Sequence, residues 1–369
     1  MSLDNIRKHI DEIDAELSAL IKKRMECSLE VAKIKTAENL PVYHPEREKA
    51  ILEKVEKEGG EFGSYIRNVY HSIMTVSRAL QNDTIFSGGE FSKKISQMPE
   101  YSRYDKVICQ GAEGAFSHAA ANKMFPELSV QFKTSFEDVF ETVANDENAV
   151  GILPVENSAA GSVSTVYDLI LKYNHNIVRA TTLDVSQNLL TVADETAVKT
   201  VYSHPHALKQ CERYIKQHNL KVVEFENTAL AAKYVAELND PTVAAIGSKS
   251  AAELYGLNIA VKSIQNESEN MTRFIAVSKN PCIAEGSNKV SLALSTVHEK
   301  GALYSLLGRF AACNLNITKI ESRPLGHGFE YKFYIDFDGN LKDEKTLNLM
   351  SSLESELSYF VFLGNYIDR

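Results

Sequence analysis

The sequence predicts a multidomain protein with an all-helical N-terminal part, a central α/β part and a C-terminal part of βαββαβ order. Three observations lead to this prediction. No glycine precedes Gly59, and the apolar residues of this part follow a helical period. Strand-like runs alternate with helical stretches from Val107 to about Val277. Two polar stretches, 82–104 and 278–288, have the irregular composition of linkers and separate the three parts.

Length, composition and charge narrow the class of protein. The 369 residues suffice for two to three domains, and 44% hydrophobic with 24% charged residues exclude a disordered or collagen-like chain. No apolar run is long enough for a membrane helix, and the N-terminus is too charged for a signal peptide. A net charge of −9 and five scattered cysteines without a CxxC argue against nucleic-acid binding, a zinc site and a disulfide framework. We expect a soluble cytoplasmic protein without metal or cofactor.

The first helix carries a long apolar seam. Apolar or near-apolar residues stand at 3, 6, 10, 13, 17, 20, 27, 31 and 34, alternately three and four apart with one gap. This is the a/d pattern of a coiled coil, over a helix of roughly 33 residues. Such a helix needs a long antiparallel or intertwined partner. Two more helices are expected, from Glu46 to Lys57 and from Phe62 to Gln81.

The gap in the seam is filled by a cation. Arg24 stands where the pattern requires an apolar residue, and a guanidinium in a seam is costly unless an anion pairs with it. Lys35 follows eleven residues later, only about 20° around the helix, so both cations share one face. Further polar candidates lie at the start of the second helix and on one face of the third: Arg47, Glu48, Ser77 and Gln81. This set suits binding of a small dicarboxylate and not hydrolysis.

Together with Arg7 and the run VYHPERE at 42–48, these residues resemble the all-helical chorismate mutase family over residues 1–81. The resemblance implies that the carboxylates of chorismate are held by Arg7, Arg24 and Arg47. It also implies that Lys35 and Gln81 hydrogen-bond the breaking ether oxygen, that Glu48 holds the ring hydroxyl, and that His44 and Ser77 complete the site. The family usually has Asp at the position of His44. The pericyclic reaction needs only a compressed conformer and positive donors at the ether oxygen.

The central part reads as a mostly parallel sheet covered on both faces. Its strand-like runs are Val107–Cys109, Val150–Val155, Lys199–Ser203, Val222–Phe225 and Val243–Ile246. Polar strings follow three of them: LPVENS at 153–158, SHPHAL at 203–208 and AIGSK at 245–249. Polar side chains at strand ends beside helix N-termini are typical of an anion site.

With GAEGAFS at 111–117 and NMTRF at 270–274, these strings resemble prephenate dehydratase over about residues 106–278. The resemblance implies a two-lobed fold like that of periplasmic binding proteins, with Thr272 essential in catalysis and Arg273 paired with a carboxylate of prephenate. The other expected substrate-binding residues are Glu156, Asn157, Ser158, Ser203, His204, His206, Asn270 and Phe274. The family usually has GPxGT where this chain has Gly111-Ala112-Glu113-Gly114-Ala115, and Gln at the position of His206. The choice between prephenate and arogenate stays open.

The C-terminal part follows the ferredoxin-like order of elements. Its expected elements are Val290–Thr296, Gly301–Ala312, Ile317–Arg323, Glu330–Asp336, Lys342–Leu357 and Tyr359–Leu363. The strings GAL at 301–303 and ESRP at 321–324, the latter expected as a tight turn, resemble those of a phenylalanine-sensing ACT domain. The resemblance implies an inter-subunit phenylalanine site formed by Gly301, Ala302, Leu303, Asn314, Glu321, Ser322, Arg323 and Pro324. Asn314 replaces a family glycine and is expected to accept left-handed geometry.

The combined interpretation is a bifunctional enzyme of phenylalanine biosynthesis, feedback-inhibited by phenylalanine and assembled as a homodimer or homotetramer. It would convert chorismate to prephenate, and prephenate to phenylpyruvate by decarboxylative dehydration. The expected domains are a mutase at 1–85, a linker at 86–104, a dehydratase at 105–280 and an ACT domain at 289–369. One alternative is an anion-binding sensor, against which the intact Thr272-Arg273-Phe274 argues. Another is a dehydratase whose helical domain mainly dimerises, against which the retained cations argue.

Overall fold

The computed structural model describes residues 2–38, 40–85, 89–267, 270–324 and 331–369. Parts of two predictions, the linker residues Phe86, Ser87 and Gly88 and the strand start at Glu330, lie outside these residues. The chain forms two compact units: Met1–Met98 with Asn288–Phe362, and Pro99–Ser287 with Leu363–Arg369. Among the described residues, no helix combines the length and hydrophobicity that crossing a membrane requires.

Helices make up most of the N-terminal part and recur throughout the chain. Their bounds are α1 Leu3–Glu38, α2 Pro45–Glu58, α3 Gly63–Ile85, α4 Glu90–Ser96, α5 Phe116–Met124, α6 Phe136–Asn145, α7 Ser164–Tyr173, α8 Pro205–Gln210, α9 Glu212–Gln217, α10 Thr228–Leu238, α11 Lys249–Tyr255, α12 Ala302–Ala312 and α13 Glu344–Glu356.

The strands begin after residue 105. Their bounds are β1 Lys106–Gln110, β2 Ser129–Lys133, β3 Ala149–Asn157, β4 Gly161–Ser162, β5 Asn176–Asp184, β6 Asn188–Thr191, β7 Thr200–Ser203, β8 Lys221–Glu224, β9 Val243–Gly247, β10 Asn258–Val261, β11 Met271–Ser278, β12 Lys289–Ser295, β13 Asn316–Pro324, β14 Tyr331–Asp338 and β15 Phe360–Asp368.

The first unit begins with the three long helices that the sequence predicts, and α3 contacts both α1 and α2. Proline at the first position of α2 suits a helix start, because its missing N–H has no partner there in any case. The apolar seam of α1 is exposed; Leu3 and Leu20, for example, retain 61% and 62% of their accessible surface. The helix therefore presents a long apolar face that the described residues of the single chain leave exposed.

The expected linker contains a helix. In α4, Phe91 and Ile95 are buried one turn apart, and the Phe91 ring packs edge-on at 5.9 Å from Phe360 and 5.8 Å from Phe362. The sequence prediction of an irregular linker is wrong for this stretch, because two apolar residues at i and i+4 suffice to dock a short helix.

The first unit also contains the C-terminal elements, in the predicted order β12-α12-β13-β14-α13-β15. The sheet order is β13-β14-β12-β15, with β14 antiparallel to both β12 and β13. Helices α12 and α13 both contact α3. The expected tight turn at 321–324 is wrong, because these residues continue β13 and pair with Tyr331–Tyr334 of β14.

The second unit has two mixed sheets where the sequence predicts one mostly parallel sheet. The first sheet contains the order β5-β11-β3-β1-β2, with β4 beside β3, and the second has the order β10-β6-β9-β7-β8. Parallel pairs include those of β1 with β2 and β3, and of β7 with β8 and β9. Strand β11 is antiparallel to both of its neighbours, β3 and β5. Such a strand is buried on both edges and places its residues between two ladders.

The chain's last residues belong to the second unit, whereas the sequence assigns 289–369 to one domain. Ile367 and Asp368 of β15 pair in parallel with Arg179 and Ala180 of β5. At Gly364 an added Cβ would lie only 2.1 Å from the carbonyl oxygen of Ile177, so the strand has no room for a side chain there. The boundary between the units thus falls within β15.

Candidate functional sites

The cation in the apolar seam of α1 reaches the third helix. The Nη1 atom of Arg24 donates a hydrogen bond to Ser77 Oγ, and Ser77 is buried. The Nζ atom of Lys35 donates to the carbonyl oxygen of Val42 at 2.5 Å. The two cations predicted to share a face of α1 therefore contact different segments: Arg24 contacts α3, and Lys35 contacts the loop that precedes α2.

Glu48 is the anionic centre of this cluster. Burial raises the pKa of its carboxyl group, while Arg78, Lys35 and Arg24 each pull that pKa down. Burial likewise lowers the pKa of the Lys35 ammonium, and Glu48 partly opposes that shift. Residues of α1, α2 and α3 thus converge electrostatically, as the sequence predicts for its mutase set.

Of the other residues predicted for the mutase site, three lie near the Glu48 cluster or at the start of α2, and one lies far away near the start of α1. Gln81 lies one turn after Ser77 and is buried, and its Oε1 has no hydrogen-bond partner among the described residues. Arg47 is close enough to Lys35 to lower the pKa of its ammonium. His44 caps α2, its Nδ1 accepting a hydrogen bond from the Arg47 N–H at 3.3 Å. Arg7 stays near the start of α1, with 67% of its side chain exposed.

Sequence reasoning missed Arg78, which lies on α3 directly after Ser77. Its Nε is 3.4 Å from Glu48 Oε1, and the two side chains are only 10% and 19% exposed. Its guanidinium also stands 4.8 Å from the centroid of the Tyr43 ring, within cation–π range. The sequence did contain a signal for Arg78. It is a cation three residues before Gln81 on α3, so it shares a helix face with a residue that is already predicted to belong to the site.

A cavity of about 660 Å³ opens in the second unit, a size that suits a small organic ligand. Elements of both sheets and the helices that follow their strands line it. The polar lining residues are Gln110, Ser117, Asn157, Ser162, Ser164, Thr165, Gln187, His204, His206, Gln210, Glu226, Asn227, Thr228 and Thr272.

Thr272 enters the cavity at the start of β11 and is held by Asn157. The Asn157 amide orientation is fixed, because its Oδ1 accepts hydrogen bonds from the N–H groups of Ala159 at 3.1 Å and Ala160 at 2.8 Å. Its Nδ2 therefore faces Thr272 and donates to Oγ1 at 2.9 Å. Since the threonine oxygen accepts this bond, its own hydroxyl hydrogen is left to donate to a ligand.

Described lysine and arginine residues are absent from the lining of this cavity. Several helices begin at its wall, among them α5 at Phe116, α6 at Phe136, α7 at Ser164 and α10 at Thr228. Helix N-termini present unpaired N–H groups and the positive end of the helix dipole to an anion. The arrangement can hold carboxylates without a side-chain cation.

Several other predicted dehydratase residues support the wall. His204, His206 and Phe274 line the cavity. Asn270 is buried and accepts a hydrogen bond from Asn157 Nδ2 at 2.7 Å. Ser158 Oγ accepts from the Met271 N–H at 2.9 Å.

Two more predicted residues lie in the strands. Ser203 Oγ donates to the carbonyl oxygen of Ile246 at 2.6 Å, and Glu156 lies opposite Arg273 in the β3–β11 pairing. Neither residue lines the cavity. The two sequence strings that contain them identify the strand ends, but they do not indicate which side chains face the cavity.

Arg273, which is expected to pair with a carboxylate of prephenate, does not line the cavity. Its Nη2 lies 3.0 Å from Asp368 Oδ2 and 2.8 Å from the Tyr366 hydroxyl. The physical reason is strand alternation: adjacent residues of β11 face opposite sides, so Thr272 and Arg273 cannot both face the cavity.

Sequence reasoning also left the three glutamines of the lining, Gln110, Gln187 and Gln210, out of the predicted site. The Gln187 Nε2 donates to Gln210 Oε1 at 3.2 Å. The spacing offered a signal for Gln210, because it follows His206 by four residues on α8 and so shares its face.

The residues of the expected phenylalanine site lie at the ends of neighbouring elements. Gly301 caps α12 with a φ of +83°, and Leu303 follows with 36% exposure. Asn314 has a φ of +57°, which confirms the expected left-handed geometry. Glu321 Oε2 lies 3.7 Å from Lys319 Nζ within β13.

Comparison with known proteins covers both units. Residues 107–282 match the Prephenate dehydratase family, and residues 6–82 match the Chorismate mutase type II family. The chain is 31% identical to the bifunctional chorismate mutase/prephenate dehydratase of Aquifex aeolicus (strain VF5), over 99% of this chain and 97% of that protein. It is 41% identical to the prephenate dehydratase of Methanocaldococcus jannaschii, over 70% of this chain and 97% of that protein.

A solved structure is also similar. The prephenate dehydratase from Arthrobacter aurescens, determined in complex with L-Phe, superposes with a TM-score of 0.63 at 28% identity. The superposition covers 71% of this chain and 90% of that chain. The α/β arrangement described above is therefore shared with an experimentally determined dehydratase.

Proposed function

The chain belongs to the family of bifunctional chorismate mutase/prephenate dehydratases, and from that premise we propose how its own residues carry out the two reactions. The enzyme rearranges chorismate to prephenate and converts prephenate to phenylpyruvate, two steps of phenylalanine biosynthesis. The observation that carries the proposal is the Asn157–Thr272 hydrogen bond at the wall of a cavity bordered by several helix N-termini.

For the mutase, we propose that the helical part binds chorismate with cations and guides a reaction that needs no covalent catalyst. Arg24 and Arg47 would hold carboxylates, and Glu48 would accept a hydrogen bond from the ring hydroxyl. Lys35 and Gln81 would donate to the ether oxygen, where negative charge develops in the transition state. Fixed donors at that oxygen favour the transition state over the ground state.

A complete mutase site requires a second copy of the chain. The exposed seam of α1 offers a continuous apolar face to the same helix of another copy, and coiled-coil packing would bury it. The remote Arg7 would then join the Arg24 and Lys35 of the partner. We propose a homodimer built on α1, whether or not two dimers associate further.

For the dehydratase, we propose that prephenate lies in the cavity with its carboxylates near the starts of α5, α7 and α10. Thr272 would donate its hydroxyl hydrogen to the departing hydroxyl group, which leaves as water, and the resulting alkoxide would take a proton from solvent before the next turnover. The ring carboxylate leaves as carbon dioxide, and its bonding electrons complete the aromatic ring of phenylpyruvate. Aromatisation drives the reaction, so binding, orientation and one proton donor suffice.

Control by phenylalanine is proposed for the C-terminal βαββαβ elements as an ACT domain of ferredoxin-like plan. The support is the order of these elements, the strings GAL and ESRP, and the phenylalanine complex of the similar Arthrobacter aurescens enzyme. Phenylalanine bound there would favour a less active arrangement of the dehydratase.

The test of the proposed function is product analysis after addition of chorismate to the purified chain. Formation of phenylpyruvate requires both reactions, whereas accumulation of prephenate would leave only the mutase. Prephenate and arogenate supplied separately then give two kcat/KM values, and the larger identifies the substrate. Failure to consume chorismate, prephenate and arogenate would contradict the proposal.

A further inference from the structure

The C-terminal end of the chain holds the arginine next to the proposed catalytic threonine. Arg273 Nη2 lies 2.8 Å from the Tyr366 hydroxyl and 3.0 Å from Asp368 Oδ2. The Arg273 and Asp368 side chains are only 13% and 16% exposed, and Tyr366 is fully buried. Tyr366 and Asp368 stand two residues apart on β15, so they share one face of that strand.

The terminal strand is itself firmly attached to the sheet that contains Thr272. Besides its pairing with β5, the Arg369 carbonyl oxygen accepts hydrogen bonds from Thr181 Oγ1 at 2.6 Å and from the Thr182 N–H at 3.3 Å. Thr182 lies opposite Arg273 in the pairing of β5 with β11. The end of the chain and the Thr272 segment are therefore separated by a single strand.

One of the two backbone ladders of β11, the ladder with β3, is interrupted where Arg273 lies. The register between β11 and β3 shifts between Arg273 and Phe274, whereas Thr272 pairs with Asn157. A bulge of this kind increases the local twist and re-aims side chains, so on the β3 side the ladder fixes their direction less firmly, while the pairing with β5 continues. An ion pair and a hydrogen bond on the opposite face of the strand supply a second constraint.

We propose that Tyr366 and Asp368 form a C-terminal latch that acts through Arg273 to position Thr272 for dehydration. Arg273 is then a positioning residue that does not touch the substrate, and the last seven residues complete the dehydratase. The inference rests on the proposed role of Thr272. In this proposal Arg273 does not bind a carboxylate of prephenate, because its guanidinium already pairs with the Asp368 carboxylate.

The burial of the Arg273–Asp368 ion pair favours a role for it in dehydration. Removing one partner of a largely buried ion pair leaves an uncompensated charge, which is far more harmful than neutralising both partners together. A displacement of about 1 Å of a catalytic group can lower the rate on the order of 100-fold. Loss of the latch is therefore expected to lower kcat for prephenate while leaving its KM nearly unchanged.

The experiment compares Arg273→Gln, Asp368→Asn, their double variant, Tyr366→Phe and Asp368→Glu in the full chain. Both single charge variants should lower kcat for dehydration by roughly 10- to 100-fold with KM within about twofold. The double variant should lose less than the product of the single losses. Tyr366→Phe should lose less than either charge variant, and Asp368→Glu should restore part of the rate.

Matched controls separate positioning from folding. Asp146→Asn makes the same substitution in the Lys106–Asp146 ion pair of the same unit, and should leave kcat unchanged. Mutase activity and the thermal melting curve measure whether each variant is folded. If the charge variants melt early, the milder Tyr366→Phe still has to lower kcat.

Two outcomes would overturn the inference. One is wild-type kcat in folded Asp368→Asn and Tyr366→Phe. The other is a several-fold rise of KM in Arg273→Gln that Asp368→Asn does not share, because this would assign Arg273 to the substrate. An inactive wild-type chain would instead refute the proposed function, so the two failures are distinguishable.

Discussion

Arg78 Nη2 donates a hydrogen bond to Ser305 Oγ at 3.3 Å, while Nε of the same guanidinium lies 3.4 Å from Glu48. One side chain of α3 thus connects the mutase cluster to α12, the helix that begins within the GAL string of the expected phenylalanine site. A second contact lies along the same pair of helices, where Ser72 Oγ and the Tyr304 hydroxyl are 2.9 Å apart. Arg78 therefore lowers the pKa of Glu48, although it is not one of the site residues expected from the family resemblance.

Replacing Arg78 with glutamine should shift the acid limb of the mutase pH profile to higher pH. Burial raises the pKa of Glu48 and Arg78 opposes that rise, so loss of the cation lets the pKa rise further. Glu48 then becomes protonated at a higher pH, and its strong charge-assisted hydrogen bond to the substrate hydroxyl is lost earlier. At neutral pH we expect a loss of about tenfold in mutase kcat/KM.

The control for this prediction is Arg67→Gln, which breaks an ion pair with Glu56 within the same helical part but at a more exposed place. It should change neither limb, and neither variant should alter the dehydratase. An Arg78→Gln enzyme with the wild-type acid limb would show that Arg78 does not act on Glu48.

The alkaline limb of the mutase should report Lys35. Burial lowers the pKa of this ammonium, so it loses its proton at a lower pH than an ordinary lysine does. Only the protonated form donates to the ether oxygen, and mutase activity should therefore decline as pH rises through that lowered pKa. In Lys35→Arg the decline should disappear from the accessible pH range, because a guanidinium does not deprotonate there.

Lys33→Arg, on the exposed side of the same helix, is the matched control and should keep the wild-type limb. Stopped assays of chorismate consumption across the alkaline range measure both variants. An alkaline limb that is identical in wild type and Lys35→Arg would assign the titration to another group.

Thr272→Ala should lower prephenate turnover by at least about 100-fold while mutase activity stays near wild type, so that prephenate accumulates from chorismate. Thr272→Ser keeps a hydroxyl group and should retain much more activity. Asn157→Asp should resemble the alanine variant, because an ionised carboxylate cannot donate to Thr272 Oγ1.

Thr142→Ala, which removes a hydroxyl that donates to the Asp138 carbonyl oxygen within α6 of the same unit, serves as the control. Chromatography of the products gives the ratio of prephenate to phenylpyruvate. Normal phenylpyruvate formation by Thr272→Ala would remove this residue from the mechanism.

The sequence predicts the long helices and the shared face of Arg24 and Lys35 on α1, because a heptad seam and the direction of side chains along a helix are local properties. It does not predict where the Arg273 side chain lies, and the reason is non-local. Thr272 and Arg273 adjoin in one string, yet strand alternation sends them to opposite faces, and the partner of the arginine is 95 residues away at Asp368. The family string marks both residues as important without telling which one faces the substrate.

The phenylalanine response should be tested by a point variant and not by removing residues 289–369. That deletion also removes Leu363–Arg369, which belong to the second unit, so it should abolish dehydration together with control. In the full chain, phenylalanine should slow the dehydratase, and Leu303→Ala should raise the half-inhibitory concentration several-fold. Isothermal titration without any phenylalanine binding to the wild type would refute the regulatory site.

The mutase site should be shared between two chains. Arg7 and Arg24 lie seventeen residues apart on one straight helix, about 25 Å at 1.5 Å per residue. Chorismate is much shorter, so two long arginine side chains of one helix cannot both reach it. The exposed seam of α1 indicates that the second arginine comes from the α1 of a symmetry mate.

Subunit exchange tests this geometry directly. Arg7→Ala and Arg24→Ala homodimers should each be nearly inactive in mutase assays, because every site lacks one arginine. In their heterodimer one site has both lesions and the other has none. Mixing the two should therefore restore about a quarter of wild-type activity at full random exchange, since half of the dimers are mixed and each has one intact site. Parental activity after exchange has been verified by mass spectrometry would mean that each chain builds its own site.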